Sequence, residues 1–564
     1  MKKVCKKFVG LVLIVSLFCL PGLALGADST TSPTNLNNQT QVEAAILAEF
    51  NAGEYDVENP LVKLDPYGWS PLTALVLFDT AKAATVEVTV KGKDEQTTIR
   101  HDFETLSIHH EIPVYGLYPG QNNDVTLKVN YEKGQTIVKH LQIQTAPLPE
   151  NDFITADVVT CDPGQVEDGL TFMVPAVPNE NRTCAIDQNG DVRWYLDNKI
   201  AGGTNEIKRL ANGHLQLVSG KLDTSAGGIY YKSSFYEMDL LGKIYTEFLR
   251  NGLHHDIQEL PNGDFIAVTN KYGRNTTEDY MVILDRTTGM VKDSLDLKQI
   301  FPVWQQTPDD PDKITPDACW GNSKDWFHQN TVWYNQGDNS ILISGRQQDA
   351  VVKIDLATKE VVWILSDPND YWPDNLKDKL LTPVAGDTDF QYQYGQHAVM
   401  QLPNGDIFLF DNGNYRSKDP ATALPAAEDY SRAVIYRVNE QDKTVEQIWE
   451  YGKERGSELY CPYICDVDYF EDGHYLIDFG GIGGFGTVVT GTGVSCSHII
   501  EIKNDKVIGE TVITKVDESG TNVNANMYRV ERMEAYTDQD KEYELGKHEG
   551  QTLGKLFEQG DVEE

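Results

Sequence analysis

HDIQELPNGDFIAVT at 255–269 and HAVMQLPNGDIFLFD at 397–411 are one hairpin written twice. In each, apolar residues alternate on both sides of a Pro-Asn-Gly turn. An Asn-Gly pair between alternating apolar runs is a strong short-range hairpin signal. NEIKRLANGHLQLVS at 205–219 is a third copy, and CDVDYFEDGHYLID at 465–478 is a looser fourth. A second kind of hairpin recurs six times, beginning at Cys184, Ser234, Tyr280, Ala350, Ala433 and His498. Two hairpins per unit make a four-stranded antiparallel sheet, and six such units predict a six-bladed β-propeller. MYRVERMEAY at 527–536 follows the sixth unit and is the segment expected to close the ring.

The propeller is expected over 151–540. Before it, LTALVLFD and ATVEVTVKG begin a run of period-two segments. These predict a small N-terminal β-sandwich over 68–150, which ends at the Pro-rich APLPEND. QVEAAILAEF at 41–50 has helical spacing, within a polar leader of 27–67. Residues 541–564 read as an acidic C-terminal tail. The fold class is therefore all-β.

Lys and Arg number 48 and Asp and Glu 86, a formal charge of −38. The first 26 residues carry four Lys and no acid, so removing them gives −38 − 4 = −42. Such a surface repels polyphosphate, which excludes nucleic acid as a partner. With 40% hydrophobic and 10% aromatic residues, the chain is not a disordered acidic one. MKKVCKKFVG, the apolar LVLIVSLFCL and Ala24-Leu25-Gly26 form a signal peptide of residues 1–26. The apolar run falls short of the roughly 20 residues a membrane span needs. The expected protein is exported, periplasmic or extracellular, with no membrane span. A homodimer is admitted.

Export permits disulfides. Six of the eight cysteines follow Gly26. Cys461 and Cys465 bracket a short loop, and Cys161 with Cys184 is a second candidate pair. Zinc ligation would call for two tight pairs or added His at ligand spacing, and neither is present.

The innermost strand of a propeller blade begins at the central channel. His255 and His397 each stand eight residues before the glycine of their turn, and Asn205 and Cys465 share that register. In the fourth unit, WFHQNTVWYNQGDNSILISGR aligns Asn330 with them, places His328 two residues earlier, and returns Arg346 to the same side. A single axial His is usually a hydrogen-bonded spacer. Several imidazoles and a guanidinium inside a strongly acidic shell point instead to an anionic ligand. His254 is expected on the opposite side of its strand. His101, His109, His110, His140, His474 and His498 read as structural or solvated.

These motifs resemble those of the bacterial aryl-sulfate sulfotransferases. The matching stretches are HHDIQELPNG at 254–263, DWFHQN at 325–330 with SGR at 344–346, and QHAVMQLPNG at 396–405 with FDNG at 410–413. The resemblance covers nearly the whole chain after the signal peptide and implies a small N-terminal β domain followed by a six-bladed propeller. It implies His397 as covalent sulfuryl acceptor, supported by His255, His328, Asn330 and Arg346. It implies an aryl sulfate donor and a phenolic acceptor, with no nucleotide sulfate donor and no cofactor. The family's short disulfide has Cys461 and Cys465 as its nearest counterparts here. A hydroxyl from Thr492, Ser495 or Ser497 stays unassigned.

The residue types suit that chemistry. Sulfuryl transfer, like phosphoryl transfer, is catalysed largely by positioning and electrostatics. A neutral imidazole is a nucleophile able to split the reaction into two steps. Arg346 offers a charged planar fork, and Asn330 a hydrogen bond. His255 or His328 must protonate the departing phenolate, and the register shared with His397 favours His255. Trp326, Phe327 and Tyr394 are candidates to hold the aryl ring, with packing an equal alternative. Two other readings are a metal-dependent propeller hydrolase and a non-catalytic anion-binding propeller.

Overall fold

The structure, a computed structural model, describes residues 36–149, 153–175, 182–197, 206–222, 231–274, 276–301, 324–368, 372–417, 421–425, 427–483, 494–516, 520–541 and 543–557. The expected signal peptide, Asn205, Cys319 and Thr492 lie outside the described residues. Among the described residues no helix is long and apolar enough to cross a membrane.

The helical spacing at 41–50 belongs to a longer helix, Leu36–Ala52, which buries Ile46 and Phe50. Its buried Glu43 accepts a hydrogen bond from Tyr67 Oη (2.7 Å) and pairs with Lys243 Nζ (2.6 Å). Five strands follow: Leu61–Leu64, Ala74–Val90, Ile99–Val114, Asn122–Tyr131 and Thr136–Gln144. The two strands expected at 72–79 and 84–92 are one, Ala74–Val90. Its pairing with Ile99–Val114 shifts register between Asp79 and Ala84. The first half therefore pairs with Leu61–Leu64 and the second with Asn122–Tyr131. The chain stays extended through the Thr80–Lys82 stretch, where the sequence pattern alone suggests a turn and Thr80 Oγ1 donates to the Lys82 carbonyl (2.8 Å).

Six mainly antiparallel sheets and one short parallel pair, Thr276–Thr277 with Lys324–Asp325, make up the rest of the described strands. The first has the order Met527–Met533, Leu170–Pro175, Cys184–Ile186, Val192–Tyr195. Its innermost strand comes from the C-terminal end of the chain, as expected of MYRVERMEAY. The second sheet runs outward from Glu206–Arg209, the third from Ile257–Glu259 and the fourth from Gln329–Asn335. The fifth runs from His397–Gln401 and the sixth from Asp466–Glu471. Ile154–Cys161 pairs with Lys506–Val516 of the sixth sheet. Residues beyond 540 do more than trail as a tail: Leu545 is buried, and Gln551–Gly554 pairs in parallel with Ile244–Leu253.

Side chains join the first strands of these sheets in cyclic order. Arg209 donates to the carbonyl of Glu534 (2.7 Å), joining the second sheet to the segment that leaves the first. Glu206 accepts from the Ile257 N–H and Asp256 from the Val332 N–H, each at 2.8 Å. Asn330 donates to the Gln396 carbonyl (2.8 Å) and Asn412 to the Ile464 carbonyl (3.0 Å). Asp466 accepts from the Val530 N–H at 3.3 Å. Buried backbone groups on strand edges must find partners, and these side chains supply them. The acids beside the inward register are thus fasteners between sheets. Two cations offset them: Lys208 Nζ lies 2.5 Å from both Glu206 and Asp256, and Arg529 lies 2.9 Å from Asp466.

Neither expected disulfide is formed: Cys161, Cys184, Cys461 and Cys465 are free thiols. Cys161 sits on the added strand of the sixth sheet opposite Gly509, whereas Cys184 is buried in the first sheet opposite Tyr195. The two thus stand on strands of different sheets. Cys461 and Cys465 do meet, and burial followed by a hydrogen bond with Cys461 holds the Cys465 thiol in its protonated form.

Candidate active site

Four consecutive sheets break their backbone at the start of the first strand. His255 (φ 55°), His328 (φ 53°), Ala398 (φ 53°) and Cys465 (φ 85°) all lie in the left-handed region. Each non-glycine residue there costs on the order of 1–3 kcal/mol and persists only where the surroundings fix it, commonly at functional sites. The break ends simple strand alternation. His254 therefore does not point away from His255 as expected; the two ring centroids are 4.9 Å apart, and both imidazoles face Glu278.

His255, His328, Arg346 and His397 come together. The rings of His255 and His328 are 5.0 Å apart, and Arg346, His328 and His255 all act electrostatically on His397. The Arg346 backbone N–H donates to the His328 carbonyl (3.1 Å), which sets its place beside that strand. Its guanidinium donates to the Pro462 carbonyl at 3.1 Å. Among the described residues it has no carboxylate partner, although this chain is rich in acids.

The three imidazoles differ in charge. Burial, followed by the Arg346 guanidinium, holds His397 well below the ordinary histidine value, so it is neutral. Its Nδ1 is 2.7 Å from Asn412 Oδ1, and its Nε2 has no hydrogen-bond partner among the described residues. Burial also lowers His255, against the pull of Glu278. Both of its nitrogens are engaged, Nδ1 with Tyr528 Oη (2.8 Å) and Nε2 with Glu278 Oε2 (3.2 Å). For His328 burial opposes charge, but Asp325 and Glu278 outweigh it and raise the group to about 9. Its Nδ1 stands 2.6 Å from Asp325 and 2.8 Å from Glu278. The site thus holds two cations, His328 and Arg346, two buried carboxylates, and beside Arg346 the neutral His397, with one nitrogen left open among the described residues.

Asn330 is brought to the site in a different role from the one expected. Its side-chain N–H holds the Gln396 carbonyl, which also accepts from Ser344 Oγ (3.2 Å). It thereby anchors the peptide preceding His397. Trp326 and Phe327 are fully buried in the core, Trp326 donating to Asp279 (2.8 Å). Tyr394 donates to Asp367 at 2.9 Å. Packing explains all three. Ser497 Oγ donates to the carbonyls of Gly480 and Ala525, a structural use, and Ser495 Oγ has no partner among the described residues.

Sequence reasoning missed Glu278, Asp325, Asn412 and Tyr528. Asp325 and Asn412 lie within quoted motifs, three residues before His328 and directly after the strand end at Asp411. Nothing local marks Glu278 or Tyr528. Glu278 also completes two groups close enough to share a metal ion, His254–His255–Glu278 and Glu278–Asp325–His328. Short-range spacing does not reveal these, because Glu278, the member common to both, comes from a separate stretch of the chain.

Residues 155–536 match the family model described as arylsulfotransferase (ASST), and residues 61–146 match the arylsulfotransferase Ig-like domain. The chain is 30% identical over 517 residues to an arylsulfate sulfotransferase AssT of Escherichia coli O6:H1, across 74% of this chain and 84% of that one. It is 28% identical over 532 residues to the protein of that name from Lelliottia amnigena, across 78% and 87%. Among solved structures, a putative 6-phosphogluconolactonase from Bacteroides fragilis is 9% identical with a TM-score of 0.29, covering 81% of this chain and 97% of that one. That likeness is too slight to bear on fold or function. The two family models and the two extended relatives agree: the chain belongs to the arylsulfotransferase (ASST) family, and it is a transferase.

Proposed function

We propose that the protein moves a sulfuryl group from an aryl sulfate ester to a phenol, in two steps, through a covalent intermediate on His397. The observation that carries this reading is a buried, neutral imidazole whose Nε2 has no partner among the described residues, set beside a guanidinium with no carboxylate partner among them. A nucleophile needs an available lone pair, and the oxygens of a transferring sulfuryl group need a fixed positive charge.

In the first step the Nε2 lone pair forms an N–S bond as the aryl O–S bond breaks, its electron pair leaving on the phenolic oxygen. That oxygen takes a proton. His328 supplies it in this reading, in place of His255. A group raised to about 9 is protonated at neutral pH, whereas His255 is lowered and has both nitrogens engaged. In the second step a phenol loses its proton to His328 and attacks sulfur, and the N–S bond breaks to restore His397. Arg346 faces the sulfuryl oxygens throughout.

The six cyclically joined sheets are read as the blades of a β-propeller, with these residues at the mouth of its channel. The lysine-rich apolar N-terminus is read as an export signal. Assaying 4-nitrophenyl sulfate with and without added phenol tests the reaction. Transfer that rises with phenol supports it, and binding without turnover favours an anion-binding protein.

A further inference from the structure

The geometry points to Asn412 as a positioning residue that fixes His397 as the Nδ1–H tautomer and so leaves the lone pair on Nε2. This rests on the reading of His397 as nucleophile and adds the group that sets its tautomer. In a neutral imidazole the hydrogen bond at one nitrogen decides which nitrogen carries the proton. Asn412 offers oxygen or nitrogen to Nδ1 depending on the orientation of its amide, and the hydrogen-bond network decides that orientation.

Here the network leaves one choice. Asn412 Nδ2 donates to the carbonyls of Cys461 (2.9 Å) and Ile464 (3.0 Å). Turning the amide over would set Oδ1 against two carbonyl oxygens. Oδ1 therefore faces His397 Nδ1, at 2.7 Å, and an oxygen there can only accept. The neutral ring must hold its proton on Nδ1.

The cradle itself is tightly held. Ser431 Oγ donates to the Asn412 carbonyl (2.7 Å) and the Cys461 carbonyl (3.2 Å), and it accepts from the Cys461 N–H (2.8 Å). Asp411 Oδ2 takes hydrogen bonds from Arg416 (2.9 Å) and Arg432 (2.8 Å), which fixes the strand end. Gly413 follows at φ 77°, where an added Cβ would lie 2.1 Å from the Tyr430 carbonyl oxygen. All of Asn412 is buried. The backbone of the 461–465 loop thus aims a side chain of the fifth sheet, and that side chain sets the proton on the His397 ring.

The test uses the full chain labelled with 15N-histidine, His397 being identified by the signals lost in His397→Ala. A wild-type spectrum with Nδ1 protonated and Nε2 bare is expected; the opposite tautomer overturns the assignment without any further variant. Asn412→Leu should release the tautomer and slow the donor-only phenol burst by roughly 10- to 100-fold, the usual effect of losing an orienting partner. The donor KM should move little. Asn412→Asp keeps an acceptor at Nδ1 and adds a charge that favours imidazolium. It should retain the tautomer and regain burst rate as pH rises. A normal burst and an unchanged tautomer in Asn412→Leu would overturn the role. Sulfuryl label on a residue other than His397, with the Nδ1–H tautomer intact, would reject the nucleophile and leave the tautomer assignment standing.

Discussion

Asp325 Oδ2 stands 2.6 Å from Nδ1 of His328, three residues later, and Glu278 closes on the same nitrogen from another loop. Two buried carboxylates on one imidazole make it a stored proton. The sign follows from the raised value. His328 is charged below about 9 and neutral above it.

The donor half-reaction, which needs that proton, should therefore be level through neutral pH and fall as pH passes about 9. The acceptor half-reaction needs the neutral form and should rise over the same range. Stopped-flow phenol release against pH measures the first limb. The same pairing adds stability that is whole below the ordinary histidine value near 6.5 and fades as pH rises through about 9. Asp325→Asn should shift the donor limb to lower pH. An unshifted limb would place the proton elsewhere.

Arg346→Lys keeps the charge and loses the fork. Removing one preorganised donor from a developing negative charge typically costs on the order of 100- to 1000-fold in rate. The lysine variant should stay badly impaired in turnover of 4-nitrophenyl sulfate. Near-normal turnover would sink the role given to Arg346.

Transfer should survive exhaustive chelation and dialysis. Glu278 and the imidazoles approach closely enough to ligate an ion, but His255 and His328 already meet Glu278 by hydrogen bonding and charge pairing. Activity lost under EDTA and regained on adding zinc or calcium would favour the metal-dependent alternative.

The register of His255 and His397 was legible because an Asn-Gly turn fixes how many residues separate it from the strand start. The same turns gave the strand pairs, and the position of 527–536 after the sixth unit marked the segment that pairs back onto the first sheet. Glu278 was not legible, since it reaches the two imidazoles from a loop with no repeat partner. Asn412 could be read as part of a motif, yet its role depends on two carbonyls in the 461–465 loop. The expected outward turn of His254 failed because strand alternation does not survive a left-handed residue at 255. Asn330 was placed correctly but not its hydrogen bond, whose acceptor is a carbonyl on the next sheet.

His397 should carry the sulfuryl group between donor and acceptor. Of His255, His328 and His397 it is the one that is both neutral and left with an unpartnered nitrogen among the described residues, and Arg346 lies within its electrostatic reach. A covalent intermediate requires double displacement, so double-reciprocal plots at several fixed acceptor concentrations should be parallel. Donor alone should release one burst of phenol and leave an acid-labile sulfuryl group on the peptide containing His397. His397→Ala should abolish burst, label and turnover together. His328→Ala should slow the burst most for phenols that leave poorly, because those need the proton most, while the label still maps to His397. Double displacement also predicts that the labelled enzyme, freed of donor, passes its sulfuryl group to added phenol. If no phenol appears until donor and acceptor are both bound, the two-step mechanism is wrong and direct transfer between substrates must replace it.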